Sequence, residues 1–156
     1  MIAVAPNFQV VRSEPRGIAY EQLLQAAHEY CDEVRLVRRH RGIGFGANAK
    51  LVLAKLKPFL IRQEDAKEWA GTKLLSGSAA IFSFHLTAPV IEVLQESANG
   101  VYSWTQPQLP EDLSFWTKNS TWFYSTTHEK ECFFTLASSQ LDHLRGRWPN
   151  VSALIS

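Results

Sequence analysis

Cysteine is scarce in this chain: Cys31 and Cys132 are the only two among 156 residues, and they make no C-x-x-C spacing. A secreted scaffold stapled by disulfides uses more, so both are read as reduced, buried thiols. An excess of one charge is also missing. The net charge is +1 and the pI about 7.8. Sequence-independent nucleic-acid binding goes with a strongly basic domain, so nucleic acid is disfavoured as a partner. No window approaches the ~18 uninterrupted apolar residues of a membrane-spanning helix. The segment Met1 to Val11 lacks a basic n-region and a long apolar run, so no signal peptide is expected. Together these absences point to the cytoplasm, where the Asn-x-Ser/Thr sequons at Asn119 and Asn150 are chance matches. Repeats and low-complexity tracts are absent too.

Catalytic signatures are equally thin. The five histidines, His28, His40, His85, His128 and His143, form no His-x-x-x-His pair of the kind that sets two metal ligands on one helical face. Ser76, Ser78 and Ser83 lie outside any Gly-x-Ser-x-Gly elbow. The glycine-rich run Gly42 to Lys50 fits neither a Walker loop nor a full dinucleotide fingerprint. The sequence therefore asks for no metal and no cofactor.

What is present is an ordinary globular composition, 46% hydrophobic and 20% charged. The length predicts one domain over residues 1–156, and a chain this long buries roughly 68–70% of its unfolded surface. Charge is uneven: residues 1–75 carry twelve Lys or Arg against eight Asp or Glu, and residues 76–156 carry four against seven.

Periodicity gives the outline. Phe8 to Arg12 reads as an edge strand. Ile18 to Cys31 reads as a helix, with Leu23, Ala27, Tyr30 and Cys31 on one face. Glu33 to Arg39 alternates as a strand, a glycine turn spans Gly42 to Gly46, and Ala47 to Lys57 is an amphipathic helix stopped by Pro58. Phe59 to Arg62 is a short strand, and Gln63 to Ser78 a polar loop. Ala80 to Leu86 alternates as a strand, then Thr87 caps a helix through Gln95 that Asn99-Gly100 ends. Val101 to Thr105 is extended. Pro110, Glu111 and Asp112 read as a capped first helical turn. Thr121 to Thr126 and Cys132 to Leu136 form an antiparallel hairpin across a five-residue polar connection. Ser139 with Asp142 resembles a capping box for a last helix ending at Gly146. Interspersed helices and a late hairpin predict an α+β fold: an antiparallel or mixed sheet with helices packed mainly on one face.

The densest signal is aromatic. Nine of eighteen Phe, Trp and Tyr residues fall between Tyr102 and Phe134. Each buries ~150–250 Å², so this cluster either builds a core or coats a contact surface. Strict alternation sets Trp122 and Tyr124 on one face and Phe123 on the other, which predicts an exposed aromatic. Exposed Trp and Tyr beside acidic residues are what interface hot spots use. The candidate partner-binding residues are therefore Trp104, Trp116, Trp122 and Tyr124, rimmed by Glu111, Asp112 and Glu129.

Two other sites compete. His128 beside Glu129, or His85 on its strand, is a candidate general acid or base for a small enzyme. Arg38, Arg39 and Arg41, followed by Gly44 and Gly46 at a helix start, form a candidate anion or nucleotide loop.

Pro110-Glu111-Asp112-Leu113-Ser114-Phe115, then Trp122-Phe123, then Thr127-His128-Glu129, resembles a motif in a loosely defined group of small uncharacterised bacterial proteins. The motif covers about a third of the chain and the remainder matches in layout. The resemblance implies a small stand-alone bacterial domain of the sort encoded beside toxins or mobile elements. The expected function is non-catalytic binding of another protein, a toxin or effector, as an immunity protein or inhibitor does. The alternative partner is a second copy of the chain, in a homo-oligomer.

Overall fold

A computed structural model describes residues 7–40 and 44–155. Arg41, Gly42 and Ile43, on which part of the expected anion loop falls, lie outside the described residues. Five helices and nine strands follow one another: β1 (Asn7–Val10), α1 (Ile18–Tyr30), β2 (Glu33–Arg39), α2 (Ala47–Leu56), β3 (Leu60–Ala66), β4 (Glu68–Trp69), β5 (Thr72–Lys73), β6 (Ala79–His85), α3 (Ala88–Ser97), β7 (Glu111–Thr117), β8 (Ser120–Thr126), β9 (Glu131–Leu136), α4 (Ser138–Arg147) and α5 (Pro149–Ser152). Seven strands form one sheet in the order β1-β9-β8-β7-β2-β6-β3, and β4 pairs with β5 in a separate hairpin. All pairings are antiparallel. The α+β class expected from the sequence is the one found. Among the described residues no helix is long and apolar enough to cross a membrane.

The helices cover one face. α1 buries Tyr20, Leu23, Leu24, Ala26 and Ala27, α2 buries Val52 and Leu56, and α3 buries Val90 and Leu94, all against Val34, Leu36, Phe84, Leu113, Phe115 and Phe134 of the sheet. Inside this core the Trp104 indole N–H donates to the Tyr20 hydroxyl at 3.0 Å, which donates to the Leu94 carbonyl at 2.7 Å. The relay satisfies two buried polar tips and ties α1 to α3. The opposite face carries a smaller cluster of Val37, Ala79 and Ile81, on which Ala66, Trp69 and Leu74 pack.

Several local expectations are corrected. Glu111 and Asp112 do not start a helix but begin β7, between the paired strands β2 and β8. Gln63 to Ser78 is not a continuous loop: β3 runs on to Ala66 and the β4–β5 hairpin follows. β3 is an outer strand with both faces largely exposed, so its sequence has no reason to alternate. Val101 to Ser103 is a 3-10 turn rather than extended chain. The last helix begins a residue earlier than Ser139. The Gln140 side chain, not Asp142, caps it by accepting the Ala137 N–H, and α5 follows beyond Trp148.

The correction with the largest consequence is at Trp122. Phe115 pairs with Phe123 and Trp116 with Thr121, which leaves Trp122 as the extra residue of a β-bulge. The bulge turns two consecutive side chains inward, so Trp122 and Phe123 are 1% and 0% exposed. The expectation that one of them faces solvent rested on an unbroken alternation that the strand does not have.

Candidate binding face

Cross-strand register defines what stands on the face the helices leave open. Glu33 lies opposite Trp116, Arg35 opposite Ser114, Ser114 opposite Tyr124, and Tyr124 opposite Phe133. Phe133 faces Val10 at the β1 edge. Partners directly across a sheet share a face. A row of rings results: Phe8 stacks on Phe133 with centroids 5.0 Å apart, and Phe133 meets Tyr124 at 5.2 Å. Phe8 is 58% exposed and Val10 46%.

Beyond Tyr124 the face becomes polar and is built around two buried carboxylates. Asp112 has φ of 54°, an unusual backbone setting for a residue with a side chain. Glu111 and Asp112 are each 2% exposed. Every one of their oxygens has a donor. Glu111 Oε1 accepts the Gln106 N–H at 3.2 Å, and Oε2 accepts Arg39 Nε–H at 2.7 Å, with His128 Nε2 at 3.3 Å. Asp112 Oδ1 accepts the Thr127 N–H at 3.0 Å, and Oδ2 accepts the Trp69 indole N–H at 2.9 Å. Arg39 Nη2 is 3.8 Å from Asp112 Oδ2, and its guanidinium lies 5.1 Å from the Trp69 ring centre. Burial raises the Asp112 carboxyl above its ordinary range; the Thr127 and Trp69 donors and Arg39 oppose that, and the Glu111 charge adds to it.

This cluster is a fastening. It joins β7, the turn after β8, the end of β2 and the β4–β5 hairpin, segments far apart in sequence. Its oxygens are engaged by protein donors, so the arrangement positions Trp69 rather than presenting a free base. The hairpin tip is seated as tightly. Gly71 has φ of +84°, and a Cβ there would stand 2.6 Å from Thr126 Oγ1 and 3.0 Å from the Tyr124 ring. Only glycine fits both conditions.

Trp69 held in this way lines, together with Trp116, a cavity of about 310 Å³. Val37 and Ile81 line its apolar part, and Arg35, Ser114, Glu64 and Glu68 its polar part. The Arg35 guanidinium stacks 3.6 Å from the Trp116 ring centre and Nε–H donates to Glu33, which Arg62 also reaches at 3.3 Å. The Trp116 indole N–H donates to Ser114 Oγ at 2.8 Å. Both tryptophans are thus fixed in orientation before any ligand arrives.

No family model, curated protein or solved structure matches this chain.

The residues singled out from the sequence separate into groups. Trp116 and Tyr124 stand half-buried on the open face. Trp104 and Trp122 are core residues, 0% and 1% exposed, and cannot be contact residues. Glu111 and Asp112 belong to the open face but as its buried fastening, not as an acidic rim. Glu129 is exposed in the turn after β8. His128 is exposed beside it, yet its partner is Glu111 rather than Glu129. His85 is exposed at the end of β6, opposite Glu33, and not a buried base. In the expected anion loop, Arg39 is engaged with Glu111 and Arg38 lies 4.9 Å over the Phe45 ring. The Gly46 N–H, which an anion would need, donates to the Pro107 carbonyl at 2.8 Å. Gly44 is exposed in the approach to α2.

Trp69, Arg35 and Glu33 were missed by sequence reasoning. A lone tryptophan in an otherwise polar segment was the available signal for Trp69. Glu33 and Arg35, two apart on an alternating strand, were the signal for a shared face.

Proposed function

We propose that this chain is a non-catalytic binding module that docks another protein on the helix-free face of its sheet. The observation that carries the reading is the row of rings Phe8, Phe133 and Tyr124, leading to the Trp116–Trp69 cavity on an otherwise uncovered face. Aromatic residues that are partly open and rigidly held are the usual anchors of interfaces, and a cavity at the low end of ligand-pocket size accepts one partner side chain. The motif resemblance supports a bacterial setting, with a toxin or effector as partner and an immunity or inhibitor role for this chain, and the scarcity of cysteine supports a cytoplasmic one.

The test compares capture of partners from source-cell lysate by wild type, Trp116→Ala and Tyr124→Ala, with melting curves for each. A single stoichiometric protein is expected with wild type. Trp116→Ala is expected to weaken it by about 2 kcal/mol or more with the fold retained. Undiminished capture by both folded variants refutes the reading. Concentration-dependent self-association that Trp116→Ala abolishes would assign the face to a second copy instead.

A further inference from the structure

We propose that the groove between α2 and the outer strand β3 is a second docking site, and that its occupant is an acidic amphipathic helix of a partner protein. The groove lies on the helix-covered side of the sheet, at the edge where the helix layer stops short of β3. Its volume is about 250 Å³. The Phe82 and Phe84 rings lie nearly parallel along its floor, 5° apart in plane with centroids 6.4 Å apart. Leu53 and Ala54 of α2 form one wall and Leu60 of β3 the other. α2 spends Ala49, Val52 and Leu56 on the core, which leaves Leu53 and Ala54 facing the groove. Leu60 is 37% exposed.

Charge selects the occupant. Lys50, in the first turn of α2, and Lys57, just past its end, stand on the rim. α2 contains no Asp or Glu, and neither of these two lysines makes an ion pair among the described residues. The acids at the far end of β3 do not neutralise them: Asp65 pairs with His40 at 3.0 Å, and Glu64 lines the cavity on the opposite face. An apolar floor under uncompensated cations fits a helix with apolar anchors at three- and four-residue spacing and carboxylates on either side. A nucleic-acid backbone supplies the negative charge but no apolar row, and a concave groove does not insert into a bilayer.

The surface is separate from the aromatic face, so the two proposals stand or fall independently. The probe is a fluorescein-labelled synthetic helix of glutamate with leucines at three- and four-residue spacing, titrated by anisotropy. A lysine–leucine counterpart, a labelled DNA duplex and phosphatidylglycerol vesicles are titrated beside it. Micromolar binding of the acidic helix is expected, with NMR shifts at the Leu53 and Leu60 methyls. The double variant K50E/K57E and the groove-filling A54W, both at exposed positions, are each expected to weaken it about tenfold or more. Trp116→Ala should leave it unchanged. The proposal is overturned if the acidic helix does not bind, if K50E/K57E binds it equally, or if Trp116→Ala removes the binding. Tighter binding of DNA or vesicles, lost in K50E/K57E, also overturns it.

Discussion

Replacing Trp122 by alanine separates the core role that the structure assigns from the contact role that its strand alternation implies. Trp122 is 1% exposed. Its ring stacks on Tyr30 at 5.9 Å and meets Phe134 edge-on at 5.1 Å. Truncating a buried aromatic to alanine costs about 3–5 kcal/mol, because the surroundings collapse only partly into the space. One term works the other way. The Trp122 indole N–H finds no acceptor among the described residues. A buried unsatisfied donor costs about 1–3 kcal/mol, so deleting it recovers part of the loss and places the outcome near the lower end of the range, about 3 kcal/mol. Trp122→Phe keeps a ring and removes the donor, so its cost should stay near 1 kcal/mol, the scale of a well-tolerated core swap. For a chain of this size 1 kcal/mol corresponds to about 2–4 °C in Tm. Trp122→Ala should therefore melt about 6–12 °C below wild type, and Trp122→Phe about 2–4 °C below it. Thermal melts followed by circular dichroism, with urea unfolding at constant m, measure both. A wild-type Tm for Trp122→Ala with loss of partner capture would refute the assignment. A Trp122→Phe loss well above about 1 kcal/mol would refute the role given to the indole N–H.

Two further outcomes test the fastening under the open face. Asp112→Asn loses one acceptor, because its amide nitrogen must face either the Trp69 or the Thr127 donor, and should cost about 1–3 kcal/mol. Its pH dependence has a definite sign. The folded carboxyl is raised above the ordinary 3.8, so its contribution is full below that value and is lost as pH rises through the folded pKa. The stability gap between wild type and Asp112→Asn, read by urea unfolding from acid to neutral pH, should be widest in acid; a gap that widens toward neutral pH contradicts the reading. Gly71→Ala forces an L side chain into a positive-φ site against Thr126 and Tyr124, at a cost of about 1–3 kcal/mol. It should also lift the hairpin, so hydrogen exchange at the Trp69 indole N–H should accelerate. Unchanged exchange and Tm would show that the tip is not seated as described.

The sequence determined what depends on near neighbours. Three- and four-residue periodicity located α1 and α2, cap and stop residues located α3 and α4 within a few residues, alternation located β2 and β6, and two strand-like runs across a polar connection located β8 and β9. Those elements were enough for the α+β class with an antiparallel or mixed sheet; the structure makes it antiparallel. The sequence grouped Trp116 and Tyr124 with Trp104 and Trp122, and only the structure separates the half-buried pair from the core pair. Tertiary structure decided the rest, wherever a residue's fate depends on a distant partner. Trp122 turns inward because β7 opposes β8 with one residue fewer at the bulge. Glu111 and Asp112 lie buried in a strand because Arg39, Trp69, Gln106 and Thr127 bring donors from four separate segments. Neighbouring residues show nothing of those donors, so two adjacent acids after a proline read as a solvated helix start. The cost of burying a charge is met only where the folded chain assembles its partners, and that assembly holds Trp69 in the wall of the cavity that Trp116 also lines.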